Sequence, residues 1–189
     1  MPTAVKLLSP LDYLFECFDP EYEAEVNERL LTWRWRPMHH FPDGGHSSEH
    51  TALAWNTKFA GQPAGAPCPN GRYLVRLNGG SYWRYRILWK MYHKEEPPAK
   101  LDHINTIKSD DRISNLRVST QRLNGYNRGR NKNNTTGYKG VWQKGNRWRA
   151  DIWVDGKKHN LGSFRTPEEA AAAYAEAAAK YHGAFARSE

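Results

Sequence analysis

The sequence is poor in cysteine, in long apolar runs and, past its midpoint, in acids. Cys17 and Cys68 stand far apart among 189 residues. That excludes a paired-cysteine zinc knuckle and a disulfide framework, and it fits a reducing compartment. No stretch approaches the ~20 consecutive apolar residues of a membrane span. The first residues lack the basic start and apolar core of a secretion signal, so a soluble, cytoplasmic protein with no membrane partner is expected. Residues 117–165 hold twelve Lys and Arg but only two acids, Asp151 and Asp155, a net of +10. Residues 1–30 reverse this, with seven acids against Lys6 and Arg29, and the whole chain carries +8. A solvated surface intersperses the two signs. A half this one-sided suits a polyanion, and nucleic acid above others. Eight Trp and ten Tyr add flat faces for a core or for base stacking.

What is present reads as an α+β chain. "SPLDYLFECF" (9–18) has helical spacing, with Leu11, Leu14, Phe15 and Phe18 on one face and Ser9 as the cap. Residues 31–70 look irregular. "YLVRLNGGSYWRYR" is two alternating runs about Asn78-Gly79, a hairpin signal, and "ILWKMYH" predicts a short helix stopped by Pro97-Pro98. Residues 125–137, "GYNRGRNKNNTTG", read as a basic, flexible linker. Three strands follow in "YKGVWQKG", "RWRADIWVDG" and "KKHNLGSF". A helix over "TPEEAAAAYAEAAAKYHG" opens with Thr166 as cap, Pro167 at its first position and Glu169 completing a capping box. Its alanines suit close packing on a small sheet, with Tyr174 and Tyr181 expected on the packing face.

The chemistry concentrates in "LDHINTIKSDDRISNLRVSTQRLN" (101–124), an acid beside an imidazole followed by two carboxamides. Hydrolysis of a phosphodiester needs an activated water and a cation that neutralises developing charge. Histidine accepts a proton near neutrality. Carboxylate and amide oxygens are hard ligands for Mg²⁺. Asp102 and His103, adjacent on a strand, point to opposite faces, so Asp102 can serve a metal while His103 serves the water. Asn124 can supply the second ligand. Asn115 can hydrogen-bond His103 or its backbone and fix the ring. Singly, each has a plain structural reading as a surface pair or a turn former.

Asp-His, an Asn twelve residues beyond the His and another nine further on resemble the HNH (ββα-metal, His-Me finger) endonucleases. Upstream segments such as "WNTKFAGQPAG" look like phage- and intron-encoded members. The resemblance implies His103 as general base, Asp102 and Asn124 as metal ligands, Asn115 as the residue orienting His103, one Mg²⁺ or Mn²⁺ per site, and a 3′-hydroxyl product. Many relatives have a histidine where this chain has Tyr85, which bears on the upstream part of the site. Arg117 and Arg122 flank the trio as phosphate contacts or as solvated charges. The run "HHFPDGGHSSEH" raises zinc on His39, His40, His46 and His50, but the spacing fits no finger, and a mobile loop is the better expectation. "WRWRP" (33–37) leaves core packing and phosphate contact both open.

Residues 137–183 resemble the plant APETALA/ethylene-response-factor DNA-binding domain through Tyr-Lys-Gly-Val, Trp-x-Ala-x-Ile, Leu-Gly-x-Phe and the Glu-Glu-Ala-Ala helix. That family reads the major groove with its sheet. The resemblance makes Lys139, Trp142, Lys144, Arg147, Arg149, Trp153 and Lys158 contact candidates, and Trp148, Ile152, Leu161, Phe164 and Tyr174 core. Arg128 and Arg130 in the linker add phosphate contacts. Several family arginines are Lys or Trp here, so base preference does not transfer.

The expected fold is α+β, with a ββα-metal nuclease core preceded by a β-hairpin and helix, plus a C-terminal three-stranded antiparallel sheet packed on one helix. The expected domains are a nuclease at 1–124 with its N-terminal extension, a linker at 125–137 and a DNA-binding domain at 138–189. The expected function is a monomeric, divalent-metal-dependent endonuclease nicking double-stranded DNA at a preferred site, in the host cytoplasm if phage-encoded. The alternatives are a non-catalytic DNA-binding regulator on an inactive nuclease fold and a structured-RNA binder.

Overall fold

A computed structural model describes residues 7–25, 27–42, 44, 46–131 and 133–187. The chain divides into two compact units, residues 1–118 and 119–189.

The first unit opens with helix α1 (Leu11–Cys17), which starts after Pro10 without the expected Ser9 cap. It also ends before Phe18, which begins strand β1 (Phe18–Pro20). Pairing decides this. β1 runs antiparallel to β2 (Leu31–Trp33), and the Phe18 ring packs 4.5 Å from that of Trp33, so Phe18 is buried from a strand instead of from a helix. The stretch read as irregular contains a twelve-residue helix, α2 (Ser48–Phe59), capped by Ser47. It carries almost no apolar stripe. Instead it docks through buried Asn56, which accepts from the Arg36 amide at 2.8 Å and donates to the Arg36 carbonyl at 2.9 Å.

A short strand β3 (Ala66–Pro67) pairs with β4 (Tyr73–Leu77), which turns into β5 (Gly80–Trp83). The two-residue loop has positive φ at both positions, 48° at Asn78 and 66° at Gly79, the turn that matches strand twist. Helix α3 (Arg84–His93) follows at once, three residues before the expected start at Ile87, and stops at left-handed Lys94. Its first residue, Arg84, is fully buried. Strands β6 (Leu101–His103) and β7 (Leu116–Val118) pair antiparallel, with Asp102 opposite Arg117 and His103 opposite Leu116. Leu14, Phe18, Leu31, Val75, Leu88 and Met91 lie in one core between these elements. Burying each such side chain contributes about 1.5–3 kcal/mol.

The second unit begins with α4 (Gln121–Tyr126), capped by Thr120, whose Oγ1 accepts from the Leu123 amide. Strands β8 (Val141–Lys144), β9 (Arg147–Val154) and β10 (Lys157–Phe164) form an antiparallel sheet in the order β10-β9-β8. Helix α5 (Pro167–His182) carries the expected Thr166–Glu169 capping box and Pro167 at its start. Ala170, Ala177, Ala178 and Tyr174 bury against Val141, Ala150 and Ile152, with Trp148, Leu161 and Phe164 packed around them. Tyr181 is not on this face: it is 44% exposed and stacks on His159. Gly140 (φ +72°) is obligatory, because a Cβ there would meet the Tyr174 ring at 2.3 Å.

The segment expected to be a loose linker is tied to this unit. Asn134 Nδ2 and Thr136 Oγ1 donate to the Tyr138 carbonyl at 2.7 and 3.1 Å. Tyr126, at the end of α4, stacks on His182 with centroids 3.8 Å apart and receives the Asp155 amide on its hydroxyl at 3.0 Å. Helix α4, expected to close the nuclease domain, is therefore anchored in the second unit.

Candidate active site and nucleic-acid surface

Strand alternation sets the first site. In β6 the Leu101 and His103 side chains fall on one face and Asp102 on the other. Leu101 is a core residue, so His103 turns inward with it and is only 4% exposed. Its Nε2 lies 2.9 Å from Asp111 Oδ1, and Asp111 Oδ2 accepts from Arg84 Nε at 2.9 Å. Asp111 and Arg84 are fully buried. A buried charge is tolerated when paired and hydrogen-bonded, and each member of this trio supplies what the next one needs. The carboxylate can only accept, so Nε2 carries the ring proton and Nδ1 is the basic nitrogen of neutral His103. Tyr85, next to Arg84 on α3, places its ring edge-on to His103 at 5.3 Å and 73°. The ring is therefore clamped by a carboxylate and an aromatic from separate parts of the chain. The expectation that His103 looks out toward water gives way to a nearly enclosed imidazole.

Asn115 does different work from orienting the ring. Its Oδ1 accepts from the Asn105 amide at 3.0 Å, and its Nδ2 donates to Asn105 Oδ1 and to the Asp110 carbonyl at 3.0 and 2.7 Å. Its own carbonyl accepts from the Ile104 amide. Asn115 thus closes the loop between β6 and β7, the loop that delivers Asp111. Asp110 is held by Arg112 through two bonds of 2.8 and 2.7 Å, and that pairing keeps its carboxyl below the ordinary range. Glu23, from the acidic N-terminal stretch, caps the same region on the Ser114 amide at 2.8 Å.

Asp102, on the opposite face of β6, receives both Nε (3.0 Å) and Nη2 (2.8 Å) of Arg117 on its Oδ2. Arg117 is thereby committed to a cross-strand ion pair instead of standing as a solvated charge. Asn124 lies on α4 in the second unit. Its Oδ1 is buried and accepts no hydrogen bond among the described residues. A carboxylate and an unmatched carboxamide oxygen are the donor types that a hard divalent cation takes. Sequence spacing does not single out Asp111 or Arg84. The doubled acid in "SDDR" is the one signal for Asp111, and Arg84 carries none.

The histidine run does not assemble. Buried His40 contacts Glu16 Oε2 at 2.6 Å and His39 reaches the same oxygen at 3.4 Å. His46 and His50 pair with one another, centroids 5.2 Å apart. Glu16, His39 and His40 present three donor atoms within 4.8 Å. Arg36 Nε, however, points at His40 Nδ1 from 3.4 Å, which favours the tautomer with the proton on the Nε2 that a metal would need. Burial holds the His40 pKa below its ordinary value. The "WRWRP" cluster divides: Trp33 and Arg36 are buried and Trp35 is exposed, with the Arg36 guanidinium lying over the Phe41 and Trp55 rings at 4.8 and 4.9 Å.

In the second unit, register sorts the sheet. Trp148, Ala150, Ile152 and Val154 of β9 face α5. The alternate residues Arg147, Arg149 and Trp153, with Trp142 and Lys144 of β8 and Lys158 of β10, fall on the opposite face. Asp151 lies among them, 8% exposed, and no sequence pattern marks it. It accepts from Trp142 Nε1 at 2.6 Å, Lys158 Nζ at 2.8 Å and Asn160 Nδ2 at 2.9 Å. Burial opposes its charge, and these donors hold its pKa below the ordinary carboxylate value. Arg147 donates to Ser163 Oγ and to its carbonyl. Lys139 is not on this face. Its Nζ is half-buried and donates to the Tyr126 carbonyl at 2.7 Å, and burial pushes its pKa down to about 8. Arg122 pairs with Asp155 at 3.0 Å, and Arg130 donates to the Gly137 carbonyl.

Comparison with known proteins gives two findings. A family model described as HNH endonuclease matches residues 82–126. Protein 3.8 of Escherichia phage T7 is 36% identical over 89 residues, which cover 46% of this chain and 73% of that protein. The chain belongs to the same family as Protein 3.8 and carries an HNH endonuclease domain. The HNH match runs from the end of β5 through α4, so Asp102, His103, Asp111, Asn115 and Asn124 all fall inside it. No solved structure matches. No helix among the described residues is long and apolar enough to cross a membrane.

Proposed function

We propose that this protein is a divalent-metal-dependent endonuclease that nicks double-stranded DNA, with His103 as general base. The observation that carries the reading is the Arg84–Asp111–His103 chain inside the HNH segment. The buried carboxylate fixes the His103 tautomer and restricts its ring, so Nδ1 is the atom that takes a proton from the attacking water. Asn115 holds the loop that brings Asp111 to the ring and acts on His103 through it. The HNH resemblance makes Asp102 and Asn124 the proposed ligands of one Mg²⁺ or Mn²⁺ ion. That ion, when bound, supplies positive charge for the scissile phosphate and the leaving oxygen. Asp102 then shares its carboxylate with Arg117, which holds it in position. One catalytic unit per monomer implies one strand cut per binding event, and the HNH resemblance implies a 3′-hydroxyl end.

The second unit is proposed to choose the site. Trp142, Lys144, Arg147, Arg149, Trp153 and Lys158 share one sheet face, and phosphates and base edges are the ligands that such a face suits. Arg122, Arg128 and Arg130 add positive charge nearby in sequence. We propose a nuclease role for residues 1–124, whose last segment, α4, packs in the second unit, and a DNA-binding role for residues 138–189. The near-complete burial of His103 favours a second reading, a regulator that binds DNA without cutting it. A supercoiled-plasmid assay with Mg²⁺, Mn²⁺ or EDTA separates the two. Conversion to the open circle only with a divalent ion supports the nuclease. Binding without conversion under any metal supports the regulator.

A further inference from the structure

Strand β8 pairs β9 over Arg147–Ala150, and just beyond it the Gly140 carbonyl accepts from the Asp151 amide at 2.9 Å. A cavity of about 570 Å³ opens there, lined entirely by residues of the second unit. Its lining combines cations with aromatic faces. Arg128, Arg130 and Lys139 contribute cations, while Lys158 is paired with Asp151 and Arg122 with Asp155. Trp142 and Trp153 contribute exposed indole faces. His182 stands in the wall, its Nε2 2.8 Å from the Trp153 carbonyl and its Nδ1 buried.

We propose that this cavity binds one nucleotide unit, its phosphate on Arg128, Arg130 and Lys139 and its base against the indoles. An inorganic anion would leave the indoles unused. A neutral apolar ligand would leave three cations desolvated. A nucleotide answers both, and the volume lies in the range of small-molecule sites. Lys139 is already partly stripped of water, which shows in its pKa of about 8. A phosphate beside it would offset that cost. A concave pocket cannot take a stacked base pair, so the occupant is either a free nucleotide or one turned out of a strand. This inference goes beyond the nuclease reading and stands whether or not His103 is active.

The test is calorimetric titration of the full chain in EDTA with dAMP, deoxyadenosine and inorganic phosphate in separate runs. dAMP should saturate at one per chain, and each fragment should bind at least roughly tenfold more weakly. The exposed pair Arg128→Ala/Arg130→Ala should weaken dAMP by roughly tenfold or more and leave deoxyadenosine unchanged, while Trp153→Ala should weaken both. A duplex with one bulged adenine is then compared with its fully paired parent. Tighter binding of the bulge, competed by dAMP, assigns an extruded nucleotide, and equal binding assigns a free one. Phosphate binding as tightly as dAMP would reduce the site to an adventitious ion only and overturn the proposal. So would a dAMP affinity untouched by the double substitution, or no saturation at millimolar dAMP.

Discussion

His103 Nε2 and Asp111 Oδ1 meet at 2.9 Å across a tight loop, with Arg84 closing the far side of the carboxylate. The loop that separates them in sequence is stitched by Asn115, so the position of Asp111 is set by backbone contacts more than by its own side-chain freedom. In the proposed mechanism the same carboxylate serves folding and chemistry, and the two roles can be pulled apart by substitution.

Asp111→Ala leaves Arg84 charged in a fully buried position, and breaking a buried pair from one side costs about 3–5 kcal/mol. Urea unfolding of the first unit should show a drop in stability of that order. Asp111→Asn keeps the volume and some hydrogen bonding. It should cost less stability, yet lower the nicking rate constant more than it raises KM, because the ring is no longer held in one tautomer. A variant with wild-type stability and wild-type turnover would show that Asp111 does neither job.

Asp102→Ala and Asn124→Ala should each raise the Mg²⁺ or Mn²⁺ concentration at half-maximal nicking, with little change in DNA affinity. Asp102→Ala also takes the carboxylate from Arg117 in a pair only about 15% exposed, and should lower stability by less than the loss at fully buried Asp111. Metal titrations of nicking check both. An unchanged metal requirement in either variant counts against that ligand.

On the sheet face, Arg147→Ala, Arg149→Ala and Lys158→Ala combined should flatten the salt dependence of log K for duplex DNA. The slope should change by about 0.9 for each phosphate that is no longer neutralised. Asp151→Asn should act differently, loosening Trp142 and Lys158 from their common acceptor and reducing sequence preference without an equal change in slope. Fluorescence anisotropy at several salt concentrations distinguishes these outcomes. A triple variant with the parental slope would mean that DNA does not lie on this face.

Lys139 gives a pH signature. Its folded-state pKa of about 8 lies below the ordinary 10.5, so between those values the unfolded chain binds more protons than the folded one. Stability of the second unit rises with pH across that window, and the full cost of the buried charge is present below it. Lys139→Met removes the cost. The gain in thermal midpoint over wild type should be larger at pH 7 than at pH 10.5, and an equal gain at both would contradict the burial argument.

Local signals were legible in the sequence wherever they were also sufficient. Asn78-Gly79 makes its turn through two positive φ values that few other dipeptides tolerate, and Thr166 with Glu169 caps α5 within four residues. The Asp-His, Asn and Asn spacing lies inside the matched HNH segment for the same reason, since it is a pattern along one short stretch. What sequence left hidden depends on partners far away. Arg84 starts α3 early because Asp111, 27 residues on, neutralises it. Phe18 leaves its helix for a strand because Trp33 is there to meet it. Tyr126 ties α4 to a histidine near the far end of the chain, which no periodicity within α4 announces.

The central claim is that His103 takes the proton from water. Single-turnover nicking of supercoiled plasmid, at saturating Mg²⁺ and with enzyme in excess, tests it most directly when wild type and His103→Ala are run side by side. The rate constant should fall by roughly 10²–10⁴-fold with plasmid affinity nearly unchanged, while the thermal midpoint drops because buried Asp111 loses a hydrogen-bond partner. A well-folded His103→Ala protein that nicks at the wild-type rate would contradict the claim.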